Sequence, residues 1–129
     1  EVETLIEREH GRGVPSERIV LAGFSQGGAI ALAAGLRHPQ RLAGIVALST
    51  YLPLHAALAG ERSAANAATP IFWGHGSVDP VVVLQRGIDS RDLLQSLGYP
   101  LEWHTYPMAH AVCPEEIGDL RRWLAQRLA

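Results

Sequence analysis

The sequence holds one cysteine, Cys113, in 129 residues. No intrachain disulfide can form, which suits a reducing compartment. No apolar run reaches about 18 residues, so no membrane span is expected. No basic segment followed by an apolar one opens the chain, and together these features favour a cytoplasmic protein. Neither sign of charge dominates: the net charge is -2 and the pI is near 6.3. That argues against nucleic acid or an anionic membrane surface as partner. No His/Cys/Asp cluster has metal-ligand spacing, so no metal is expected. A phosphate-cradling loop is also missing. Gly23 to Gly28 carries a serine where a dinucleotide turn needs glycine, and no acidic residue ends the next strand. No cofactor is therefore expected. There is no internal repeat and no low-complexity linker. Methionine is absent from the first position, and Glu1 falls inside a helical pattern, so sequence upstream is expected.

What is present is a one-domain length with 47% hydrophobic residues. Val2, Leu5 and Ile6 give a helix face over Glu1–His10. Ile19–Ala22, Leu42–Leu48, Pro70–Gly74 and Leu101–Tyr106 read as strands. The first two are continuously apolar, as in parallel strands buried on both faces. Helices are expected over Gln26–Arg37, Val83–Leu97 and Pro114–Leu128, with Leu84, Ile88, Leu94 and Leu97 on one face of the second. Tyr51–Thr69 has no clear period and reads as a long loop with one short helix. Strands alternate with helices, which predicts a mostly parallel sheet with helices on both faces.

The chemistry starts at Gly23-Phe24-Ser25-Gln26-Gly27, between the first strand and the helix after it. A serine hydroxyl at its free pKa is a poor nucleophile and must be held exposed beside a base. A G-x-S-x-G turn does this. Its glycines let strand and helix approach, and the helix N-terminus offers N–H groups to an oxyanion. Catalysis of this kind also needs a histidine and an orienting carboxylate. Functional groups of a parallel sheet gather at the carboxyl ends of its strands. After the third strand, Gly74-His75-Gly76-Ser77-Val78-Asp79-Pro80 offers one carboxylate, Asp79. After the fourth, Tyr106-Pro107-Met108-Ala109-His110-Ala111-Val112 offers one histidine, His110. The order Ser25, Asp79, His110 is that of α/β-hydrolases. Simpler roles compete with these. Ser25 and Asp79 could be helix caps, and His110 could be an ordinary loop residue. His75 is a rival base, read as a brace for the Asp79 loop. Cys113 has no elbow around it and reads as a packing residue.

Leu21-Ala22-Gly23-Phe24-Ser25-Gln26-Gly27-Gly28, His75-Gly76-Ser77-Val78-Asp79-Pro80-Val81-Val82 and Tyr106-Pro107-Met108-Ala109-His110 resemble the signature blocks of the phospholipase/carboxylesterase family. Leu48-Ser49-Thr50-Tyr51-Leu52-Pro53 also resembles a family segment. The resemblance implies the α/β-hydrolase fold, with Ser25 as nucleophile, His110 as base and Asp79 as its orienter. It also implies the Gln26 backbone N–H as one oxyanion donor. Family members are longer. Residues 1–129 correspond to the C-terminal half of the domain, and the early strands and an H-G-x-G-type turn, which bears the second oxyanion donor, lie upstream. Without those strands the elbow strand has an open edge, which favours a homodimer or other association. The function implied is a serine carboxylesterase acting on esters of small or medium acyl chains. An acyl-protein thioesterase or lysophospholipase is the neighbouring reading, since triad chemistry does not fix the substrate. A non-catalytic hydrolase-fold remnant that acts in association is the third. The substrate is a small-molecule ester or thioester, with Leu52, Leu54 and Leu58 as the expected acyl-pocket wall.

Overall fold

The second and third strands of this chain are buried on both faces, and both lie inside the sheet. A computed structural model describes residues 1–129. It has strands β1 (Val20–Phe24), β2 (Gly44–Leu48), β3 (Ile71–Gly76) and β4 (Leu101–Tyr106) and helices α1 (Val2–Gly11), α2 (Gln26–Gly35), α3 (Leu58–Glu61), α4 (Leu84–Ser96) and α5 (Pro114–Arg127). The strands form one parallel sheet in the order β1-β2-β3-β4. Every residue of β2 and β3 is buried. Successive side chains point to opposite faces of a strand. Ile45, Ala47, Ile71 and Trp73 accordingly meet Leu32 of α2, Leu36 at its C-terminal end and Leu94 of α4. Val46, Leu48 and Phe72 meet Trp123 of α5 on the other face. Helices thus cover both faces, as the alternating pattern requires. Each buried aliphatic or aromatic side chain in these layers contributes about 1.5–3 kcal/mol relative to exposure. The helix α1 packs on α2 and buries Ile6. No helix is long and apolar enough to cross a membrane.

Strand β1 departs from its expected two-sided burial. It pairs with β2 alone, and Ala22 and Phe24 are exposed. Its apolar character reflects a strand whose second edge and outer surface nothing in this chain covers. It also runs beyond Ala22, pairing Gly23 with Ala47 and Phe24 with Leu48, so the ladder delivers Ser25 directly.

Segment 51–69 is more ordered than its composition suggests. It holds α3 and a 3₁₀ turn at Ala64–Asn66. The buried Asn66 organises it. Its side-chain amide donates to the carbonyls of His38 and Gln40, and its Oδ1 accepts from the Leu42 N–H and the Thr69 hydroxyl. Helix α4 also packs differently from its apolar pattern. Its fully buried residues are Gly87, Ser90 and Leu94. A Cβ at Gly87 would stand 2.7 Å from His75 Nδ1. The Ser90 hydroxyl accepts from the Leu52 N–H at 2.9 Å and donates to the Arg86 carbonyl. Gly87 and Ser90 thus share the inner face with Leu94, and Leu97, just past the helix, packs on the same core.

Candidate active site

Ser25 leaves β1 with φ 56° and ψ -122°, a strained conformation for a residue bearing a Cβ. Its surroundings hold it from several sides. The Ser25 N–H donates to the Leu48 carbonyl at 2.8 Å. Its own carbonyl accepts from Gly28 N–H, Ala29 N–H and the Thr50 hydroxyl, the last at 2.6 Å. Two glycines make the crossing possible. A Cβ on Gly23 would collide with the backbone of Gly27 and Gly28, and one on Gly28 would lie 2.8 Å from Thr50 Cγ2 and 2.9 Å from the Gly23 carbonyl. A Cβ on Gly27 would meet nothing within 4 Å. The close approach therefore rests on Gly23 and Gly28, and the second glycine of the motif is not sterically required. Gln26 is the first residue of α2. Its N–H has no acceptor inside the helix and lies at the positive end of the helix dipole.

Three strand ends converge here. His110 Nε2 lies 3.0 Å from Ser25 Oγ, and His110 Nδ1 lies 2.7 Å from Asp79 Oδ2. Asp79 is buried, which pushes its carboxyl up. Hydrogen bonds from His110, Val82 N–H and Val81 N–H outweigh that, and its pKa falls below the ordinary value. It is therefore an acceptor-only carboxylate at neutral pH. Nδ1 of His110 must then carry the hydrogen, which leaves Nε2 of the neutral ring to accept the Ser25 proton.

Asp79 Oδ1 accepts from Val81 N–H at 2.8 Å and Val82 N–H at 2.9 Å, a turn that fixes the carboxylate. His75 is fully buried behind it. It accepts from Trp73 Nε1 on Nδ1, so its hydrogen sits on Nε2 and is donated to the Val82 carbonyl at 2.8 Å. His75 thus braces the loop, as expected, and does not reach Ser25. Gly76 is a site residue that sequence reasoning missed. A Cβ there would run into the carbonyls of Met108 and Ala109, so its absence lets the Asp79 and His110 loops come together. The motif His-Gly-Ser-Val-Asp held that signal, unused. Phe24, the variable letter of the elbow, sets its ring 4.8 Å from that of His110.

The expected acyl wall is not assembled. Leu52 and Leu58 lie in the core with Leu32, Leu36 and Trp73, while Leu54 points to solvent at 63% exposure. Both core leucines are drawn in by the apolar layer between α2 and α4. Uncovered apolar side chains next to the site residues include Phe24 beside His110, Val78 and Val81 on either side of Asp79, and Val112 just past His110.

A family model described as Phospholipase/Carboxylesterase matches residues 1–128. The chain belongs to the phospholipase/carboxylesterase family. Acyl-protein thioesterase 1 of Neurospora crassa is 46% identical over 127 residues, which cover 96% of this chain and 52% of that relative. A probable carboxylesterase of Oryza sativa subsp. japonica is 36% identical over 128 residues, covering 98% and 48%. The crystal structure of SOBER1 from Arabidopsis thaliana superposes with a TM-score of 0.93 at 29% identity, covering 99% of this chain and 61% of that one. Esterase PE8 superposes with a TM-score of 0.89 at 27% identity, covering 96% and 57%. The chain spans about half the length of the curated relatives it matches, and the four-stranded sheet with its helices is that share of the family's α/β-hydrolase fold.

Proposed function

We propose that the protein is a serine hydrolase of carboxylic esters and thioesters, with Ser25 as nucleophile, His110 as general base and acid, and Asp79 as orienter. The observation that carries this reading is the unbroken line of hydrogen-bond distances, 2.7 Å and then 3.0 Å, from Asp79 through His110 to Ser25. Ser25 Oγ attacks the acyl carbon as its proton passes to His110 Nε2. The charge on the carbonyl oxygen is met by the Gln26 N–H and the end of α2. The C–O or C–S bond then breaks, and the leaving group takes the proton from His110. Water attacks the acyl-Ser25 ester with His110 again accepting the proton, and the acid leaves with Ser25 restored.

An oxyanion site of this type uses two donors, and loss of one costs about 10²–10³-fold in rate. Gln26 supplies one, and an H-G-x-G-type turn in the early part of the domain supplies the other. The uncovered edge of β1 and the exposed Leu5, Phe24 and Ile30 support a sheet that continues past β1. Phe24, Val78 and Val81 form the apolar ground for the acyl chain.

The relatives named acyl-protein thioesterase favour a thioester substrate over a small oxyester. Matched oxygen and sulfur esters of one acyl group, assayed with the full protein and its Ser25→Ala variant, test both points. Turnover that requires Ser25 is expected, with the thioester preferred. Turnover retained in Ser25→Ala removes the nucleophile assignment.

A further inference from the structure

Arg86 stands where a cation is least comfortable. It is the third residue of α4, in the first turn, where the helix dipole is positive. No acidic residue shares that turn, and Arg86 forms no salt bridge. Its guanidinium lies 4.0 Å from the centroid of the Tyr51 ring, a stacking that fixes its direction while leaving its N–H donors free. Nearby, Asp89 Oδ1 is occupied by the Gln85 amide at 2.8 Å and Oδ2 has no partner. Local rules are broken most often where function requires it.

The pair lines a cavity of about 220 Å³ with Leu52, His55, Asp89 and Ser90. That is smaller than the roughly 300–1,000 Å³ of ordinary ligand pockets, so it admits a small polar group and not an acyl chain. The segment after β2 connects it to Ser25. Tyr51 follows Thr50, whose hydroxyl is bonded to the Ser25 carbonyl, and Leu52 N–H is bonded to Ser90. β2, which ends just before this segment, lies between the strands that carry Ser25 and Asp79.

We propose that Arg86, stacked on Tyr51, forms a subsite for an anionic group, carboxylate or phosphate, on the leaving group of the ester or thioester. The inference rests on the acyl-transfer reading above. Arg86 binds the anion through its free fork of donors. Asp89 Oδ2 accepts from a hydroxyl or ammonium on the same leaving group.

The test uses the full protein and acyl esters of 4-hydroxybenzoate and of 4-hydroxybenzamide, which are alike in size and shape and of which only the first carries a negative charge. The readout is the ratio of kcat/KM for the charged ester to that for the neutral one. Arg86→Gln is expected to lower this ratio about tenfold, mostly through KM, and Arg86→Lys to recover part of it. A ratio unchanged by Arg86→Gln overturns the subsite. Binding is read separately by calorimetry, with 4-hydroxybenzoate and glycerol 3-phosphate added to Ser25→Ala protein. At least tenfold weaker binding of one of them after Arg86→Gln is expected, and whichever it is identifies the anion. Equal affinity for both proteins overturns the proposal even if neither ester is cleaved, a result that would instead count against Ser25 as nucleophile.

Discussion

His75 hands its Nε2 hydrogen to the Val82 carbonyl, three residues past the carboxylate that Val82 N–H helps to hold. The bond closes the turn around Asp79 from the inside. Replacing His75 by alanine leaves the Trp73 N–H and the Val82 carbonyl buried without partners. Each unsatisfied group costs about 1–3 kcal/mol. His75→Ala is expected to lower Tm markedly and to reduce kcat through the loosened Asp79, as measured by thermal unfolding and steady-state kinetics.

Asp79→Asn separates charge from shape. The asparagine Oδ1 can still accept from Val81 and Val82, which turns its NH₂ toward His110 Nδ1. That ring nitrogen must then accept, and Nε2 carries the hydrogen, so it can no longer take the proton of Ser25. The expected loss in kcat is about 10⁴-fold, with little change in Tm. Kinetics paired with a thermal melt checks both halves of this expectation.

The glycines of the elbow are not equivalent. Gly28→Ala puts a methyl 2.8 Å from Thr50 Cγ2, and Gly23→Ala drives one into backbone. Both are expected to give little folded protein. Gly27→Ala meets open space and gains helix propensity, worth up to about 1 kcal/mol. Soluble yield and Tm across the three variants distinguish them.

Glu116 gives a pH signature of its own. It is fully buried in the first turn of α5, no side chain hydrogen-bonds its oxygens, and one of them occupies the space a Gly74 side chain would need. Burial, aided by the nearby Asp119 carboxylate, raises its pKa to about 7, against a pull from the Cys113 N–H and His104. The folded state therefore holds this proton more tightly than the unfolded chain, which releases it near 4.5. Stability from this group is full below about pH 4.5, falls as pH rises to about 7, and is level above. The difference is on the order of 3 kcal/mol. Glu116→Gln is expected to raise Tm at pH 8 and to flatten that slope between pH 5 and 7, as read from melts at several pH values.

The sheet and the three residues of the candidate site were legible because each rests on local signals: apolar runs for β2 and β3, and single candidate side chains in the loops after β3 and β4. What the sequence hid depends on packing across elements. Gly87 is small to admit His75, Gly76 to admit the His110 loop, and Ser90 and Asn66 are buried to satisfy backbone groups of other segments. None of these follows from periodicity. The leucine wall failed for the same reason. Leu52 and Leu58 look alike to Leu54 in sequence, but the layer between α2 and α4 takes the first two and leaves the third outside.

If His110 and Asp79 activate Ser25, Ser25 is the residue that an electrophile modifies. The most direct measurement is labelling of the full protein with a fluorophosphonate, followed by mass mapping of the modified peptide. One adduct is expected, on Ser25, absent in Ser25→Ala and slowed by orders of magnitude in His110→Ala. An adduct on another residue, or ester turnover by protein whose Ser25 stays unlabelled, would contradict it.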